Sequence, residues 1–125
     1  MKQLFFIVLV LSSCGKKVTK LDSDYIGHWK DVGDVCYNTI NISENNDGEY
    51  NYGGTTKECH DRLKGTSRLT NNALMIGIRK FKIRETPTAI NDTVFDTETF
   101  NMRMKLVIPH WLSNSGRIIT FYKKK

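Results

Sequence analysis

From 25 to 122 the chain alternates apolar and polar positions with a period of two, the spacing of strands buried on one face. The most regular stretch runs from 100 to 108. Phe100, Met102, Met104, Leu106 and Ile108 fall on one side, and Asn101, Arg103, Lys105 and Val107 on the other. Wound as a helix, the same residues would scatter apolar groups around the whole circumference. Cys36, Asn38, Ile40 and Ile42 alternate with Tyr37, Thr39 and Asn41, and Phe81 and Ile83 alternate with Lys80, Lys82 and Arg84. Further strands are predicted over 49–52, 63–69 and 117–122, and 73–78 is continuously apolar, as a strand covered on both faces would be. Asn45-Asn46-Asp47-Gly48, Gly53-Gly54, Thr70-Asn71-Asn72 and Asn114-Ser115-Gly116 supply turn chemistry between them, with Asp47-Gly48 suited to positive φ. Pro87 is expected to end the strand over 79–84, and Pro109 the one over 100–108, because proline cannot donate to a central ladder. A single turn around 23–26, capped by Ser or Asp, is the one helical element foreseen. Seven or eight strands with short turns make an all-β chain. Up-and-down hairpins hide their edges by closing, so a small antiparallel barrel or a strongly curled sandwich is predicted.

The start of the chain breaks this pattern. Lys2 precedes an apolar run from Leu4 to Leu11, which as a helix spans only ~12 Å of a ~30 Å bilayer core. It reads as the hydrophobic part of a signal peptide. Leu11-Ser12-Ser13-Cys14 resembles the lipobox of bacterial lipoproteins, which implies cleavage before Cys14 and acylation of that cysteine. The organisation expected is a signal peptide over 1–13, a lipidated tether over 14–24, a barrel domain over 25–122 and a frayed basic tail over 123–125. A flexible tether of that length reaches about 15–20 Å. Among lipoproteins, Asp after the lipidated cysteine favours inner-membrane retention; Gly15 stands there instead, which points to the outer membrane, facing the periplasm.

Export changes the meaning of the cysteines. With Cys14 acylated, Cys36 and Cys59 remain as an even pair in an oxidising compartment, either bridged or as two free thiols. A bridge would stabilise the fold by roughly 3 kcal/mol in the chain-entropy view. Charge is divided unevenly: 14–61 holds 5 basic and 9 acidic residues, whereas 62–125 holds 13 basic and 4 acidic. The basic half suits anionic lipid headgroups or polysaccharide phosphates, or is a solvated sheet face. An exported lipoprotein has no call on nucleic acid.

Gly27-His28-Trp29 at the start of the first strand resembles the Gly-x-Trp signature of lipocalin-like proteins. In that family the tryptophan plugs the closed end of an eight-stranded barrel and an arginine from near the last strand packs over it, a role the resemblance gives to Arg117. The family's middle motif, a Thr-Asp-Tyr-like turn, is absent. With the lipobox, Lys80-Phe81-Lys82-Ile83 before a proline and the ending Gly116-Arg117…Phe121-Tyr122, the chain is similar to small lipocalin-like lipoproteins of Gram-negative bacteria.

Catalytic patterns are sparse. Cys59-His60-Asp61 places neighbouring side chains on opposite faces of an extended segment, so a disulfide at Cys59 is favoured over a nucleophile. His28, His60 and His110 lack metal-ligand spacing, and neither a phosphate loop nor a Gly-x-Ser-x-Gly elbow occurs. Neither a metal nor another cofactor is expected, and the protein is read as no enzyme. Met75, Met102 and Met104, with Phe100, either line a pocket for an apolar guest or pack a filled core; methionine adapts to both. The expected function is a lipid-anchored envelope binding module for a small apolar ligand, or an envelope accessory protein. The alternative is a protein-interaction lipoprotein that acts as an inhibitor or an assembly subunit. A monomer held at the membrane by its acyl chains is expected.

Overall fold

A computed structural model describes residues 21–33, 35–55, 57–93, 99–110, 112 and 115–124. The expected signal segment 1–13, Cys14 and the expected tether up to 20 lie outside the described residues. A 3₁₀ turn η1 (Ser23–Tyr25) precedes eight strands: β1 (Gly27–Lys30), β2 (Cys36–Ile42), β3 (Asp47–Gly54), β4 (Asp61–Thr70), β5 (Ala73–Ile76), β6 (Arg79–Thr93), β7 (Thr99–Val107) and β8 (Ile118–Lys123). Each pairs antiparallel with the next, and Lys30 opposite Tyr122 closes β1 on β8, so the sheet is an up-and-down barrel without a free edge strand.

Alternation decides what faces inward. Ile40 and Ile42 of β2, Met102, Met104 and Leu106 of β7, and Ile119 and Phe121 of β8 are buried in one core with Trp29, Tyr50, Leu74, Ile76 and Phe81. An eight-stranded barrel is just wide enough for such side chains to fill. Tyr50 and Phe81 meet across the interior with ring centroids 5.3 Å apart.

Several boundaries differ from the sequence expectations, each for a local reason. Positive φ in the β2–β3 turn falls on Asn46 (70°), whereas Asp47 and Gly48 already belong to β3. Gly48 is needed for space: a Cβ there would sit 2.0 Å from Ser67 Oγ. The apolar run over 73–78 is not one strand. Gly77, with φ at 60°, starts a two-residue turn, Ile76 pairs with Arg79, and Ile78 is 84% exposed.

Pro87 does not end its strand. β6 continues to Thr93, and its pairing with β7 slips between Glu85 and Thr88, so proline occupies an irregularity where no ladder hydrogen bond is required of it. At the amino-terminal side, Leu21 is buried at 4% and Asp22 Oδ1 accepts from the Asp24 N–H at 3.1 Å, capping η1. The folded domain thus includes residues from at least Leu21 onward, within the span expected as tether. At the other end Lys123 is a buried member of β8, not part of a frayed tail.

Candidate functional site

The end of the barrel where the chain enters is closed by η1 and Trp29. The Trp29 Nε1–H donates to the Tyr25 carbonyl at 2.9 Å, and the indole is fully buried. The cation over it is Lys123, with Nζ 4.8 Å from the ring, and not Arg117, which is exposed just ahead of β8. Lys123 Nζ also donates to the carbonyls of Asp24 (2.6 Å) and Ile26 (2.8 Å), so one ammonium joins β8 to the end of η1. Gly27 leaves room for its stem: a Cβ there would lie 2.7 Å from Lys123 Cδ, and φ is 133°. Burial pushes the Tyr25 hydroxyl up to about 12, with Asp22 and Asp24 adding to the effect.

The pocket-lining trio does not share a hollow. Met102 and Met104 belong to the packed core. Phe100 is buried elsewhere, 5.8 Å from the Tyr122 ring and beneath the ammonium groups of Lys30 and Lys124 at 5.6 and 5.9 Å. Met75 lies outside the core cluster, opposite Arg68 and Lys80 on the outer side of β5. Side chains occupy the inward positions around the barrel, so the alternation of 100–108 reports core packing.

The opposite end has another character. Because β1 starts at η1, the β1–β2, β3–β4, β5–β6 and β7–β8 connections all lie at the far end. There Cys36 and Cys59 form a disulfide that ties the start of β2 to the β3–β4 connection. It uses up the thiol of Cys59-His60-Asp61. Asp31 Oδ1 accepts from the Gly33 and Asn38 N–H groups (3.2 and 3.0 Å), and its Oδ2 accepts from Asn38 Nδ2 at 2.8 Å. Tyr50 donates its hydroxyl to Asn38 Oδ1, so the buried Asn38 holds the β1–β2 connection to the barrel wall. The β7–β8 connection is pinned by Ile108 N–H to Arg117 O (3.0 Å) and Gly116 N–H to Ile108 O (2.8 Å).

On these fixed supports stand the large hydrophobic residues that the described part of the chain exposes. Val32 and Val35 lie in the β1–β2 connection, Tyr37 near the start of β2, Ile78 in the β5–β6 turn and Ile118 at the start of β8. Val32 and Ile118 border one hollow of about 290 Å³ with Arg117. Ile78 borders another, of about 370 Å³, with Arg79, Pro109 and His110. An apolar arc with charged neighbours, Asp31 and Arg117 at one hollow and Arg79 at the other, is the clustering that marks an interaction surface. Strand alternation does not reveal this arc; its signal in the sequence is Val32, Val35 and Ile78, apolar residues in connections that otherwise carry turn chemistry.

Among the described residues no three of His, Cys, Asp and Glu converge as metal ligands would. Comparison of the chain with protein-family models, with curated proteins and with solved structures finds no match.

Proposed function

We propose that this chain is a lipid-anchored, non-catalytic accessory protein of the cell envelope. It is held at the outer membrane, facing the periplasm, by acylated Cys14, and it recognises a partner protein through the far end of a lipocalin-like barrel. One observation carries this choice over an apolar-ligand carrier: the inward positions are packed, while Val32, Val35, Tyr37, Ile78 and Ile118 are exposed together at the far pole. Arg79 borders that arc on one side and Arg117 with Asp31 on the other, so the partner surface it suits is apolar with charged groups of both signs at its rim. The anchor rests on the lipobox ending at Cys14, and the lipocalin likeness on Gly27, Trp29 and barrel closure.

The test is photo-crosslinking in intact cells from positions 32 and 118, with Thr66 on the barrel flank as control. A discrete protein adduct from both far-end positions, lost in the Ile78→Asp/Ile118→Asp variant while its near-UV spectrum is kept, supports the reading. Equal adducts from position 66, or none from the far end, overturn it. Anchoring is tested separately: palmitate labelling is expected in the wild type and absent in Cys14→Ser.

A further inference from the structure

Cations on the barrel's outer face are of two kinds. On β4, Arg62 and Lys64 are matched by Glu49 at 3.0 and 3.8 Å, and on β7 Arg103 is matched by Glu85 at 2.7 Å. The hydrogen bond from Asn51, with Arg62 and Lys64 nearby, holds the Glu49 carboxyl below its usual range; the hydrogen bond from Arg103 does the same for Glu85. These acids are therefore engaged. On β6, Lys80, Lys82 and Arg84 are exposed, and among the described residues no carboxylate ion-pairs with any of them.

Their cross-strand neighbours do not compensate. Lys80 stands opposite Met75, and Lys82 stands opposite Ala73 on one side and Val107 on the other. Arg68, also opposite Met75, adds a further cation. Successive outward positions on one strand are only about 6.8 Å apart, so these like charges repel across a short distance.

Beside them lies a hollow of about 620 Å³ lined by Thr70, Asn71, Asn72, Lys80, Lys82 and Arg84, with Ala73 and Ile83 at its base. Three cations and two carboxamides border it, no carboxylate does among the described residues, and the Thr70 hydroxyl beside them donates to the Ala73 carbonyl at 3.4 Å. The Ile83 N–H donates to the Asn72 carbonyl at 2.7 Å, which holds the Asn71-Asn72 turn against β6 and keeps the carboxamides beside the charges. Three cations with neutral carboxamide N–H donors beside them sign-match a set of phosphate oxygens.

We infer that this hollow binds a phosphate-bearing ligand. The Asn71-Asn72 turn joins β4 to β5 at the η1 end, the end from which the anchored chain emerges. The headgroup of an anionic phospholipid is the source within reach there, and free phosphate offers the same chemistry. Only the choice of source rests on the anchoring proposed above; the site itself does not.

The experiment is an NMR titration of full-length, isotope-labelled protein in non-ionic, phosphate-free micelles. Short-chain phosphatidylglycerol is added in one arm, inorganic phosphate in a second, and chloride at matched ionic strength in a third. Saturable amide shifts confined to 70–73 and 80–84 are expected. Lys80→Gln/Lys82→Gln/Arg84→Gln should raise the half-saturating concentration about tenfold or more, and Arg62→Gln/Lys64→Gln less than about twofold. Saturation with phosphatidylglycerol alone supports the site with the headgroup as ligand, and saturation with inorganic phosphate as well supports it with the phosphate group sufficient. Shifts spread over every basic residue, reproduced by chloride, or weakened equally by the β4 variant overturn the site. Palmitate labelling at Cys14 reads the anchor independently, so failure of one leaves the other measured.

Discussion

At the scale of single residues, the barrel's closed end shows how a short motif and a distant side chain complete one another. Gly27 and Trp29 announce themselves by spacing, but the cation that locks them is Lys123, which bonds to two carbonyls and stacks over the indole. Charge-assisted hydrogen bonds of this kind are worth about 1.5–3 kcal/mol. Lys123→Ala is therefore expected to lower the unfolding free energy by about that amount in urea titrations, whereas Arg117→Ala, at an exposed site, should stay within about 0.5 kcal/mol. The reverse order would mean that the lock is misassigned. Lys123 hides in a run of three lysines that reads as a frayed end, although Ile119, Phe121 and Lys123 share one phase and the alternation already places it inward.

At the scale of elements, polar punctuation was legible and its exact placement was not. Asn71-Asn72 turns the chain as its chemistry foretells, because both residues tolerate turn backbone and neither is needed in the core. Pro87 misleads because a strand can pass a proline where pairing slips, and slippage depends on the partner strand, which local sequence does not reveal. The Cys36–Cys59 bridge, read from cysteine parity, constrains the far-end connections over a separation of 23 residues. Cys36→Ser/Cys59→Ser is expected to lose roughly 3 kcal/mol in guanidinium titrations, with wild type in reductant falling to the same midpoint. Reduced wild type that unfolds where the oxidised form does would remove the bridge from the stability account.

For the whole molecule, closure followed from the need to hide strand edges, and the structure has eight strands in sequential order. Whether the barrel is hollow did not follow, because alternation tells which side chains point inward and not whether their volumes fill the space. Trp29, Tyr50, Phe81, Phe121 and Met104 fill it here. An apolar fluorescent probe is accordingly expected to find no saturable interior site in the wild type. Met104→Ala should cost about 2–5 kcal/mol by leaving a void at a fully buried position. Saturable probe binding by the wild type, displaced by long-chain fatty acid, would return the apolar-carrier reading to the front.

The burial of Leu21 has a consequence for where the partner must be. With that side chain in the core, six residues, 15 to 20, lie along the sequence between Cys14 and Leu21. Fully stretched, they give a leash of at most about 20–25 Å. With Cys14 acylated as proposed, the barrel would be confined to a thin shell just above the lipid surface and would not span a wide compartment. A partner of the proposed kind, docking on Val32 and Ile118, would then have to come down to that shell, as a membrane protein or one that hugs the same leaflet would.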